Sequence, residues 1–412
     1  MSGDGIRRTQ LDGGLSVLSQ PVQGVRSASV GVWVRYGSAH EGPGELGVAH
    51  LLEHMVFKGT ETRTAKDIAL VLERLGGSLD AYTSREHTSY QARVLDEHFD
   101  TALEVVADLV ANPLLRDEDL ELEREVVLEE ISTVDDTPDD LVFEMHNEAL
   151  WPGHSYGHSI LGTRETVGAM RAADLRRAHA AAYRKPGLVV AATGNVDHDR
   201  LVAGVERLLG GVADGGPGSP VSDPAAPPSG ERVVERPGAQ THIVMGGRAV
   251  PHADPRRYPL VLLSSALGGG MSSRLFQRVR EDLGLAYAVY TFQSFYRTAG
   301  SLGVYVGTRP EWADRAVSVI REELARVARE GLPTEELEDA KGQVKGQMVL
   351  GLESPGGRLH RLALQELYGE PHRSVDELTA AIDAVDMDEI REVAGEFLDP
   401  ERWLTVRLGP TR

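Results

Sequence analysis

The chain has 412 residues, 41% hydrophobic and 26% charged, with a formal net charge of −20 and no cysteine. That length predicts two or more domains, and the missing cysteines exclude disulfides, thiolate metal sites and a cysteine nucleophile. The acidic balance argues against a nucleic-acid partner, whose phosphates need Lys and Arg; with no apolar run long enough to cross a bilayer and no signal-peptide pattern after Met1-Ser2-Gly3-Asp4, a cytoplasmic protein with no membrane partner is expected.

In chain order, β-branched and aromatic runs predict a strand at 28–36. A helix is expected near 46–57 from its 3.6-residue apolar period. Strands follow at 78–84 and 88–95, helices at 97–111 and 117–133, and a late strand at 187–195. Residues 213–231 are rich in Gly, Pro, Ser and Ala without periodicity, the composition of a linker. Beyond it the series recurs: a strand at 241–248, a helix from Arg257, strands at 286–294 and 300–308, helices at 311–328 and 334–350, and a late strand at 403–408. This repetition predicts an α+β protein of two homologous domains, 1–212 and 232–412. Each would be a mainly antiparallel sheet with helices packed on it.

The first predicted helix carries His50-Leu51-Leu52-Glu53-His54. Val48, Leu51, Leu52, Met55 and Val56 form its apolar side, while His50, Glu53 and His54 stand at i, i+3 and i+4 on a shared face. Two imidazoles one turn apart can converge on one zinc ion, and Glu53 then stands where a general base is needed. The pattern is H-x-x-E-H, a zincin motif in inverted order. The plainer reading is the polar face of an amphipathic helix, and a third ligand decides between them. In the segment 120–131, Leu120, Val127 and Ile131 form the buried stripe. Glu123 and Glu130 flank that stripe, whereas Glu121, Glu125 and Glu129 fall on the far side. An inward carboxylate needs a partner, and zinc is one.

The stretches GVAHLLEHMVFKGT, GGSLDAYTSREHTSY and EREVVLEEI resemble the M16 zinc peptidases, and the chain length resembles the short bacterial M16B subunits. The resemblance implies a third zinc ligand at Glu130, 76 residues after His54, with Glu123 as a helper carboxylate. It implies a catalytic set of Glu53 and Glu123, and one Zn2+ per chain held by His50, His54 and Glu130. LGGGMSSRLFQRVREDLGLAYAVYTF resembles the family's C-terminal signature, so Arg280 and Tyr287 are expected to contact substrate. The strand through Asp80, Ala81 and Tyr82 would pair with an extended peptide; Asp80 stands where relatives often carry Asn. The resemblance also implies a clamshell of four such domains, assembled here from two chains, a homodimer being expected and a heterodimer the alternative. The expected function is a zinc-dependent endopeptidase acting on short or unfolded peptides. The rival is a non-catalytic scaffold or regulatory subunit, which typically lacks part of the zinc motif.

Two patterns are read as decoys. Gly42-Pro43-Gly44-Glu45-Leu46-Gly47 matches G-x-G-x-x-G, but Pro43 removes an amide donor and no βαβ repeat follows. His154 and His158 lie in a Gly- and Pro-containing loop and are expected at the surface.

Overall fold

The computed structural model describes residues 5–215, 218 and 220–410. The first four residues, and residues 216, 217 and 219 of the expected linker, lie outside it. Before the linker the chain runs β1 (Arg7–Gln10), β2 (Ser16–Pro21), β3 (Ser27–Val34), α1 (Val48–Val56), α2 (Ala65–Glu73), β4 (Ser78–Thr83) and β5 (Thr88–Leu95). It continues through α3 (Phe99–Ala111), α4 (Asp117–Asp136), α5 (Pro138–Leu150), α6 (Arg164–Ala169), α7 (Ala172–Ala182), β6 (Leu188–Gly194) and α8 (His198–Leu209). The later half runs β7 (Gly230–Glu235), β8 (Thr241–Ala249), α9 (Arg257–Gly268), β9 (Ala286–Phe295), β10 (Gly300–Thr308), α10 (Ala313–Glu330) and α11 (Thr334–Gly351). It ends with α12 (Pro355–Tyr368), α13 (Val375–Asp383), α14 (Met387–Phe397) and β11 (Leu404–Gly409). None of the described helices is long and apolar enough to cross a membrane.

Two sheets form, with strand orders β1-β2-β6-β3-β5-β4 and β7-β11-β8-β10-β9. Apart from the extra edge strand β1, the second order reproduces the first. Each has one parallel pair at the same place, β2 with β6 and β7 with β11. The other pairs are antiparallel. The α+β class and the duplication expected from sequence are therefore both present.

The chain divides into two compact units. The first holds Met1–Ser132, His158–Val221 and Leu350–Val375; the second holds Thr133–Gly157, Ser222–Val349 and Asp376–Arg412. This differs from a single cut between 1–212 and 232–412, because each half of the chain lends the other a helix. In the first unit Val17, Val30, Val32, Val190 and Ala192 face a core with α1, α3 and α8. The opposite face presents Leu18, Trp33, Val189 and Ala191, which are buried by Leu359, Leu362, Ala363 and Leu367 of α12. A sheet buried on both faces reads as a continuous apolar run, as in LVVAATG of β6. In the second unit α5 packs on β8 and β11. There the His146 ring lies against Gly246 so closely that a Cβ on that glycine would stand 3.0 Å from it.

Candidate metal centre and active site

The helix α1 owes its place to Val48, Leu51, Leu52, Met55 and Val56, all at most 1% exposed. With that side fixed in the core, His50, Glu53 and His54 emerge together on the half-buried side. Helix α4 is held in the same way by Leu120, Val127 and Ile131, which brings Glu123 and Glu130 to α1. Glu130 Oε2 lies 3.6 Å from His50 Nε2 and 3.8 Å from His54 Nε2. The two imidazole rings are 4.5 Å apart. Among the described residues, His50, His54 and Glu130 are the one group of three or more His, Asp or Glu that could share an ion.

The donor set fits zinc. Two ligands at tetrahedral angles, each about 2.1 Å from the metal, stand roughly 3.4 Å apart. The observed separations exceed that by a few tenths of an ångström, within reach of side-chain adjustment. Burial, and then the neighbouring His54, lower the His50 imidazole to about 4. It is therefore neutral near pH 7, the form a metal ligand requires. His54 turns its other nitrogen, Nδ1, to Glu123 Oε1 at 2.9 Å, the hydrogen bond that commonly orients a metal-bound histidine.

Glu53 accepts the Thr83 hydroxyl at Oε2, 2.6 Å away. Burial pushes the Glu53 carboxyl above its ordinary value, against the pull of Thr83 and His54 and with Glu130 adding to the rise. That is the direction a general base working near neutral pH needs. Glu123 is 5% exposed, and its second oxygen, Oε2, pairs with Lys58 Nζ at 2.5 Å. Two of these groups, Thr83 and Lys58, were missed in the sequence. Thr83 could have been found from strand alternation: Leu79, Ala81 and Thr83 share the face of β4 that packs toward α1. Lys58 offered no comparable signal.

Among the described residues β4 is an edge strand, paired with β5 alone. Asp80 is exposed and Ala81 half-buried, and Thr83, the last residue of the strand, reaches Glu53. The Tyr82 side chain takes the opposite face, where its hydroxyl stands 3.0 Å from both His87 Nε2 and His360 Nε2. Only the backbone of Tyr82 is thus turned to the open edge. In the second unit Arg280 and Tyr287 meet, with the guanidinium 4.7 Å from the Tyr287 ring centre and equally close to Phe276. Tyr287 is 76% exposed. The helix that follows β8 as α1 follows β3, α9, reads RYPLVLLSSALG and has no His, Asp, Glu or Cys to offer a metal. His154 and His158 are half-buried rather than at the surface, and His154 Nε2 bonds the Ser222 carbonyl at 2.9 Å.

Residues 16–164 match the family model described as insulinase, peptidase family M16, and residues 169–344 match the peptidase M16 inactive domain. A protein of Streptomyces coelicolor described as an uncharacterized zinc protease is 39% identical, over 99% of this chain and 90% of that protein. One of Mycobacterium tuberculosis, described in the same words, is 41% identical, over 98% of this chain and 93% of that protein. A Bacillus subtilis protein so described is 36% identical, over 97% and 98%. The fold matches a crystal structure of a peptidase M16 inactive domain from Pseudomonas fluorescens, with TM-score 0.92 and 22% identity over 99% and 98% of the two chains. A protease from Helicobacter pylori matches with TM-score 0.91 and 22% identity over 98% and 99%. With family models spanning both halves and relatives of such identity along almost its whole length, this chain belongs to peptidase family M16.

Proposed function

We propose that this protein is a zinc-dependent endopeptidase of short or unfolded peptides. The observation that carries the reading is the convergence of His50 Nε2, His54 Nε2 and Glu130 Oε2, with Glu53 on the same helix bonded to Thr83 of the edge strand β4. His50, His54 and Glu130 would hold one zinc ion per chain. When bound, zinc polarises a carbonyl and makes water a better nucleophile at neutral pH. Glu53 takes the proton of the attacking water and returns it to the leaving amine. Thr83 holds Glu53 in place, and Glu123 orients His54. The edges of Asp80, Ala81 and Tyr82 offer main-chain pairing to an extended peptide, which asks little of its side chains. Arg280 and Tyr287 are proposed to grip the substrate, and a cytoplasmic homodimer is the proposed working form, since each chain carries both residue sets. The rival, a non-catalytic scaffold or regulatory subunit, is disfavoured by the complete set of four motif residues in the first unit.

The test is cleavage of a quenched fluorescent peptide by the wild type and by Glu53→Gln, with zinc quantified in both. The substitution should leave the zinc content unchanged and lower turnover by about 10²–10⁴-fold, and a chelator should abolish wild-type activity. Full activity of Glu53→Gln at equal zinc would sink the assignment of the base. Absence of both zinc and cleavage after zinc is supplied would favour the scaffold.

A further inference from the structure

The helix that carries His50, Glu53 and His54 has no capping side chain of its own. Its N-cap is Gly47, at φ 90°, and a Cβ there would lie 2.6 Å from the Leu161 carbonyl oxygen. The cap position thus has no room for Ser, Thr or Asp. A helix of nine residues is marginal unless its end amides find partners. Here the partners come from the preceding loop. Glu41, 5% exposed, accepts the Gly47 amide at Oε2 and the Ala49 amide at Oε1, each at 2.8 Å. Two donors onto two oxygens is the pattern of the ionised carboxylate. Burial pushes the Glu41 carboxyl well above its ordinary value even against the pull of the Ala49 and Gly47 amides, with Glu45 adding to the rise, while those two amide bonds and the positive end of the helix favour the ionised form.

This also accounts for the Gly42–Gly47 pattern. At the N-terminus of a helix after a Gly-rich loop, the anion in a nucleotide-binding fold is a phosphate. Here the anion is a side chain of the protein itself, and the amides are already taken. Thr166 donates its hydroxyl to the Leu46 carbonyl at 2.7 Å and pins the same turn. Ala49 directly precedes His50, so its bond to Glu41 fixes the backbone from which the first ligand projects.

We infer that Glu41 is a positioning residue for the metal-binding helix, its carboxylate setting the rotation and depth of α1 and so the convergence of His50, His54 and Glu53. The inference rests on the zinc site proposed above. Ligation tolerates shifts of only a few tenths of an ångström. A loosened first turn therefore disperses the donors even where the fold survives.

The test compares wild type, Glu41→Gln and Glu41→Ala. Glutamine keeps the shape but offers one acceptor oxygen and sets an NH2 against one of the two amides. Zinc affinity is read by competition with a chromophoric chelator, amide exchange of residues 49–52 on the zinc-free protein, and kcat and KM on a peptide. Folded Glu41→Gln should bind zinc about 10- to 100-fold more weakly, as outer-shell variants do. It should lose exchange protection in the first turn of α1 and lose kcat with KM retained. Formate added to Glu41→Ala should restore part of the zinc affinity by supplying the missing carboxylate. Wild-type zinc affinity in folded Glu41→Gln would overturn the inference, and would do so even with exchange protection lost, since Glu41 would then be a structural cap alone. Failure of the metal site itself reads differently: His50→Ala would then bind zinc as the wild type does, whatever the Glu41 variants do.

Discussion

Replacing Thr83 by Val removes one hydroxyl and little else. The side chain keeps its volume and its β-branch, so the edge strand should keep its stability to within about 0.5 kcal/mol. What is lost is the donor 2.6 Å from Glu53 Oε2. A hydrogen bond to a charged group is worth about 1.5–3 kcal/mol, and each 1.4 kcal/mol is about a factor of ten in rate. Without the hydroxyl, Glu53 meets a methyl group on that side and swings away from the place where it takes a proton. We expect kcat to fall roughly 10- to 100-fold, with KM and zinc content unchanged, because Thr83 touches no proposed metal ligand. Thr83→Ser keeps the hydroxyl and should stay within about threefold of the wild type. The assay is steady-state cleavage of a quenched fluorescent peptide, with zinc measured by atomic emission on the same samples. A Thr83→Val variant with wild-type kcat would refute the reasoning, as would equal losses in the Val and Ser variants.

Lys58→Met should destabilise the first unit, since it strips the cation from Glu123, whose side chain is 7% exposed. Breaking a buried pair costs about 3–5 kcal/mol; Lys58 is itself 35% exposed, so water reaches the vacated position and about 1–3 kcal/mol is expected. Urea unfolding of the zinc-free protein measures it, and an unchanged midpoint would count against the pairing. At Glu366, burial pushes the carboxyl up, but hydrogen bonds from His372, Arg8 and Ser16 outweigh it and hold the group well below its ordinary value. Its stabilisation is complete above the unfolded pKa of about 4.3 and is lost as pH falls toward the folded value. Glu366→Gln should cost about 1–2 kcal/mol at pH 7, the lower end because Arg8 is 41% exposed. The gap to the wild type should shrink as the pH drops below about 4; a gap that widens there would reverse the assigned sign.

Sequence by itself determined the local elements and the chemistry carried on single helices. The i, i+3, i+4 spacing of His50, Glu53 and His54 needs only a helix with one apolar side, and α1 buries the five predicted apolar residues. The stripe of Leu120, Val127 and Ile131 likewise turned Glu123 and Glu130 inward. The repeated order of strands and helices exposed the duplication. Tertiary structure alone decided what meets what across the chain. The lending of α5 and α12 was invisible because an apolar helix face is the same pattern whichever sheet it covers; the choice follows from which sheet face α1, α3 and α8 leave open. The Tyr82 strand was expected to pair through its main chain; that the Tyr82 side chain meets His87 and His360 was not legible, because register, not residue type, assigns the face of a strand. Lys58 and Glu41 carry common residue types without spacing to mark them, and strand alternation gives Thr83 its face but not its partner. Their roles arise only where folding brings each within hydrogen-bonding distance of a group that cannot be left unpaired, Glu53, Glu123 and the amides that begin α1.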